Sequence, residues 1–158
     1  MTKQDTSKLR QLESLWWALT LFMVVLILTP IYLTVDNFPF YILNSIYIVT
    51  FITVTRYIFL LKYTFVARRE IWKIIFVFLM IPAIFLLVQE LNLFQTFLDE
   101  NGMEAMVGEI LPLSRRTAIN KYIYNEIMLF GIGSIISCTV LPFRLLISVW
   151  RGRNGEGI

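Results

Sequence analysis

Charged residues fall along this chain so that they divide it into four long apolar runs. The first carries no charge from Ser14 to Val35, and at 1.5 Å per residue a helix of that length covers the roughly 30 Å of bilayer hydrocarbon. The second follows Pro39 and is interrupted by Arg56, but Tyr57 to Leu61 carry its apolar character on to Lys62. Arg56 lies close enough to that end to snorkel toward headgroups. The third is uncharged from Ile74 to Gln89, with Trp72 before it and Leu91, Leu93 and Phe94 after it. The fourth is uncharged from Ile127 to Phe143, lengthened by Tyr122 to Tyr124 on one side and by Leu145 to Trp150 on the other. The pattern predicts an all-α integral membrane protein, one domain over 1–158 with transmembrane helices at about 14–35, 38–61, 72–94 and 122–150. The first run exceeds the h-region of a signal peptide and no small-residue cleavage site follows it, so it is expected to remain as a span.

The connections are unequal. Asp36 to Phe40 form a tight turn around Pro39, and a short basic link surrounds Ala67 to Glu70, so consecutive spans are expected to be antiparallel neighbours. Spans three and four are joined by a longer segment, 92–120. Within it Met103, Met106, Val107, Ile110 and Leu111 recur at three-to-four spacing after Gly102, which predicts a short amphipathic helix stopped by Pro112. Ser114 is placed to cap the helix leading into span four. An apolar stripe on so short a helix must rest on a partner protein, on the chain's own bundle or on lipid. Its adaptable methionines make partner contact the leading expectation. Pro30, Pro82 and Pro142 are expected to kink or end helices.

Charge sets the expected orientation. Lys3, Lys8 and Arg10 precede span one, Lys62, Arg68, Arg69 and Lys73 join spans two and three, and Arg151 and Arg153 follow span four. The other face has Arg115, Arg116 and Lys121, so the positive-inside rule places both termini in the cytoplasm. Trp16, Trp17, Trp72 and Trp150 fall at that same face, where indole prefers the headgroup region. With Arg68, Arg69 and Lys73 they form an edge suited to membrane lipid, and the few charges argue against nucleic acid.

Composition agrees with a bilayer: 58% of residues are hydrophobic and only 16% charged, where a soluble domain has about a quarter. There is no histidine and a single cysteine, Cys138, so His-ligated metal sites, Cys/His nucleophilic chemistry and internal disulfides are excluded. No cofactor or catalytic residue is expected. In span four, Gly131, Gly133, Ser134, Ser137 and Cys138 form a small-residue helix face, with Gly133/Ser137 and Ser134/Cys138 four apart. Such a face lets helix backbones approach where lipid is as apolar as leucine; a cavity or pore lining is the alternative.

Span two is the most polar. Tyr47, Thr50, Thr53 and Tyr57 share one arc of its wheel, expected to hydrogen-bond inside the bundle. Glu90 and Glu126 near the outer helix ends are expected to form interfacial ion pairs with Arg115 and Arg116, a catalytic carboxylate pair being the alternative.

Four spans with the larger loop between the last two resemble the tetraspanin layout, but the cysteines that family needs in this loop are missing. The layout also looks like the membrane part of some bacterial sensor proteins. The expected function is that of a non-enzymatic accessory subunit of a larger complex in a bacterial inner membrane, for example an ion-driven motor, a TonB-type energy transducer, or a secretion or transport assembly. Its partners are then membrane lipid and other membrane-protein subunits. A small oligomeric transporter or channel, or a membrane sensor fragment, is the alternative.

Overall fold

The computed structural model describes residues 3–36, 38–107 and 112–154. They form four long helices: α1 Lys3–Tyr32, α2 Tyr41–Phe59, α3 Glu70–Asn101 and α4 Leu113–Arg153. All four are long and apolar enough to cross a membrane. Each is longer or shorter than its apolar run alone indicates, because caps and packing rather than hydropathy set helix ends. At about 1.5 Å per residue the 41 residues of α4 reach roughly 60 Å, so this helix outruns any bilayer core.

Two single 3-10 turns, Leu61–Tyr63 and Phe65–Arg68, link α2 to α3. Between α3 and α4 the described part of the expected amphipathic helix is one 3-10 turn, Met103–Met106, which follows Gly102 at φ 75, a left-handed backbone that suits glycine. Ile110 and Leu111 lie outside the described residues. Pro112 occupies the cap position of α4 and Ser114 sits inside its first turn with no capping hydrogen bond, so proline, which lacks an N–H to satisfy, starts this helix in place of the expected serine. Pro30, Pro82 and Pro142 lie inside α1, α3 and α4, and none ends its helix. Neighbouring helices and back-bonded hydroxyls make such prolines tolerable in an apolar setting.

The helices alternate in direction, so α2 and α4 run parallel while α1 and α3 oppose them. The chief seam joins this parallel, non-consecutive pair, and α3 packs along another side of α4. Consecutive α2 and α3 are held mainly by aromatic side chains. Phe40 meets Phe94 and Phe97 edge-on at 5.1 and 5.0 Å, and at the other end Tyr57 meets Phe76 at 5.9 Å. The reason lies in α4, whose buried residues Ile127, Gly131, Ser134, Cys138, Leu141, Leu145 and Ser148 recur at alternating steps of four and three. That repeat keeps one seam against long neighbours.

Small residues set how near those neighbours come. A Cβ on Gly131 would stand 3.0 Å from Leu91 Cδ1 and 3.4 Å from the Tyr47 ring, and one on Gly133 would stand 2.8 Å from the Phe51 ring. α1 and α3 turn most of their large apolar side chains outward, Leu15, Phe22, Leu26, Phe78 and Phe85 among them.

Gly133→Leu should force α2 and α4 apart and destabilise the bundle by about 1–3 kcal/mol, the usual cost of overpacking. Thermal unfolding in detergent measures it, and a midpoint equal to the parent's would show that Phe51 yields freely.

Candidate functional site

Polar groups inside an apolar bundle must find partners there, and they gather along the α2/α4 seam. At the end away from the termini, Asn44 in the first turn of α2 donates from Nδ2 to Glu126 Oε2 on α4. Next along, the Tyr47 hydroxyl donates to the Leu87 carbonyl of α3 at 3.0 Å, while the Ser134 hydroxyl lies 2.8 Å from the Tyr47 carbonyl and 2.6 Å from that of Phe130. Further on, Thr55 and Ser137 share a hydroxyl hydrogen bond of 3.2 Å. Gly131, Gly133, Ser134, Ser137 and Cys138 thus all lie on the side of α4 that meets other helices, with Cys138 fully buried. On α2 the side toward α4 is Asn44, Tyr47, Phe51 and Thr55. Of the expected arc, Tyr47 lies on that side and makes its hydrogen bond inside the bundle, Tyr57 is buried, and Thr50 and Thr53 are half-buried.

The other end of the bundle holds cations. Arg56 is buried and forms an ion pair with Glu13 of α1 at 2.9 Å, its guanidinium 5.3 Å from the Trp16 ring centre. It does not snorkel, because Glu13 and the indole face offer compensation inside. Glu13 also accepts from the Phe65 backbone N–H at 3.2 Å, tying α1 to the α2–α3 link. Lys73 is only 3% exposed and donates from Nζ to Ser148 of α4 at 2.9 Å. This corrects its expected role at the lipid headgroups: it opens α3 on the side that faces α4, so its ammonium reaches a hydroxyl one helix away. Arg144 donates from Nε to the Ile58 carbonyl at 3.3 Å, near the C-terminus of α2.

Of the remaining edge residues, Trp17, Arg69, Trp72 and Trp150 are exposed, Trp16 is half-buried under Arg56, and the Arg68 side chain lies outside the described residues. In the outer segment Met106 and Val107 belong to the chain's own core, at 2% and 7% exposure, because the 3-10 turn folds back onto α3 and α4. That is a correction to their expected place on a partner surface. Met103 remains exposed.

The two carboxylates part company. Glu126 is buried with Asn44, and the described ion pairs are Arg56–Glu13 and Arg153–Glu70, so the expected pairing of Glu126 with Arg115 or Arg116 is not made. Those arginines stand about three turns earlier on the same helix, out of reach. Glu90 faces a groove of about 520 Å³ between α2 and α3, whose other walls include Phe40, Ile42, Ile46, Leu86 and Leu93. Among the described residues no three of Cys, Asp and Glu converge as metal ligands would.

Sequence reading missed Lys73–Ser148 and Asn44–Glu126. The available signal was a carboxamide in an apolar run, Asn44, and a carboxylate at the margin of another, Glu126. Comparison of the chain with protein-family models, curated proteins and solved structures finds no match.

Glu13→Gln should leave Arg56 buried without a counter-charge and destabilise the bundle by up to about 3–5 kcal/mol. Adding Arg56→Met should recover part of the loss. Thermal midpoints of the two single variants and the double variant measure this coupling, and strict additivity would show that the pair contributes nothing.

Proposed function

We propose that this chain is a multi-pass protein of a bacterial inner membrane, with both termini in the cytoplasm, acting as a non-enzymatic accessory subunit of a larger membrane complex. The observation that carries the reading is the groove between α2 and α3. Two aromatic clusters hold these helices while their backbones stay apart, and the walls are apolar except for the Glu90 carboxylate. A groove of this shape fits side chains of a partner's transmembrane helix. Glu90 favours a helix with a basic or hydroxyl side chain at that level, since an acyl chain offers a carboxylate nothing. The outward apolar sides of α1 and α3 suit lipid contact. Lys62, Arg69, Arg151 and Arg153 share one end of the bundle with both termini, which supports a cytoplasmic assignment of that end. An ion-driven motor, an energy transducer of the TonB type, or a secretion or transport assembly are the hosts this reading allows.

A second reading, a small transporter or channel acting as an oligomer, draws on a different observation: Glu126 is a buried ionisable group within a spanning helix, a feature common on ion paths.

Extraction in mild detergent, sizing and mass spectrometry of co-purifying chains separate the two readings. A discrete hetero-complex is expected, and Ile46→Trp, which fills the groove, should release the partner while leaving the chain inserted. A homo-oligomer alone favours the transporter reading, and a complex indifferent to Ile46→Trp places the contact elsewhere.

For orientation, cysteines replacing Asp5 and Asn154 should react with a membrane-impermeant maleimide only after the membrane is opened. Labelling in intact cells reverses the assignment.

A further inference from the structure

Glu126 and Asn44 are planar forks joined at one prong, Nδ2 of the amide to Oε2 of the acid. The other prong of each, Glu126 Oε1 and Asn44 Oδ1, is buried without a hydrogen-bond partner among the described residues. Asn44 is fully buried and Glu126 only 6% exposed, so neither oxygen can turn to bulk water. Both are acceptors: an amide oxygen has no proton to offer, and an ionised carboxylate has none either. As a carboxylate, Glu126 would leave two acceptors unsatisfied and a negative charge buried.

We propose that Glu126 and Asn44 form a proton-binding site at the α2/α4 seam, in which Glu126 Oε1 carries a proton and donates it to Asn44 Oδ1. One proton taken from water completes a ring of two hydrogen bonds, the amide N–H to the acid carbonyl oxygen and the acid O–H to the amide oxygen. It satisfies both orphan oxygens and takes the site from one negative charge to none. A sodium ion in the same place would need several more oxygen ligands than these two. A bridging water would satisfy the acceptors but leave the charge.

Among the described residues the surroundings supply no substitute for the proton. On α4, the Tyr122 hydroxyl donates away from the site to the Ile27 carbonyl of α1 at 2.8 Å, Lys121 is exposed, and Arg115 and Arg116 are about three turns off. On α2, the Tyr47 hydroxyl donates to Leu87, and Arg56 lies about three turns away with Glu13. From α3 the nearest charge is Glu90, a second acid. The charged residues of α1, Lys3 to Glu13, are at the opposite end of the bundle, and Asp36 beyond it is again an acid. The site therefore stands on hydrogen-bond and charge accounting alone, whether the chain works as a subunit or as an oligomer.

A bundle that holds this proton binds one more proton than the unfolded chain once the pH exceeds the ordinary carboxyl range. Its stability must then fall as pH rises, by up to about tenfold in the folding equilibrium per pH unit while the unfolded carboxyl is ionised and the folded site still holds its proton, and level off once that proton is released. Glutamine at position 126 reproduces the neutral acid, with an N–H facing Asn44 Oδ1 and a carbonyl facing Asn44 Nδ2, and cannot titrate.

The test uses the full chain reconstituted in lipid nanodiscs near neutral pH. Infrared spectra of the parent should show the C=O stretch of a neutral carboxylic acid, lost in Glu126→Gln. In detergent, Glu126→Gln should melt at or above the parent and lose the component of the parent's decline with pH that Glu126 causes. Absence of the neutral-acid band in the parent overturns the proposal even if the variant fails to fold. So does parent stability that rises with sodium chloride but not with choline chloride while that band is missing, which would make the pair a cation site.

Discussion

Where α4 passes α2, there is no room for a side chain: a Cβ on Gly133 would press into the Phe51 ring, and one on Gly131 would crowd Leu91 and Tyr47. In an apolar medium, packing apolar surface against apolar surface removes nothing from water, so helices associate through close van der Waals approach and through polar contacts across the seam. The glycines allow the first, and the first permits the second. Ser134 reaches the Tyr47 carbonyl, and Thr55 meets Ser137, only because the backbones stand this near. With α3 also laid along α4, the small-residue stretch fixes the spacing on two sides of the helix.

The spans were legible in the sequence because length and apolarity are local properties. A run such as Ser14 to Val35 has few other structures open to it when every backbone N–H and C=O must be satisfied without water. The small residues of span four were legible for the same reason, since four-residue spacing is visible along one helix. Partnerships were not. That Lys73 meets Ser148, or Asn44 meets Glu126, depends on the relative register of helices far apart in sequence, and no local pattern encodes it. Which residues of α2 face α4 was hidden for a related reason: Asn44, Phe51 and Thr55 do, and a count of polar residues alone gives Phe51 no weight. Met106 and Val107 were read first as a partner contact and only second as part of the chain's own bundle, because apolar spacing along the chain does not tell which surface covers it.

The two ends of the bundle are built by different means. At the end near the termini, ion pairs and a buried ammonium tie every helix to another: Arg56 to Glu13, Lys73 to Ser148, Arg153 to Glu70. At the opposite end the ties are aromatic edges and hydrogen bonds, Phe40 on Phe94, Tyr122 on Ile27 and Asn44 on Glu126. Cations held within the structure are unavailable to headgroups, so the basic character of the first end at its surface rests on fewer residues than the sequence contains.

The parallel pairing of α2 with α4 also bears on synthesis. Asn44 and Thr55 are each separated by 82 residues from the α4 groups that meet them, and α3 lies in between. A ribosome adding about 5–20 residues per second makes that stretch in roughly 4–16 s. Throughout that interval the polar side of α2 has no α4 to answer it. The nascent chain must keep this side against the insertion machinery, water or another protein until α4 arrives, so the α2/α4 seam is among the last contacts to close although α2 is made early.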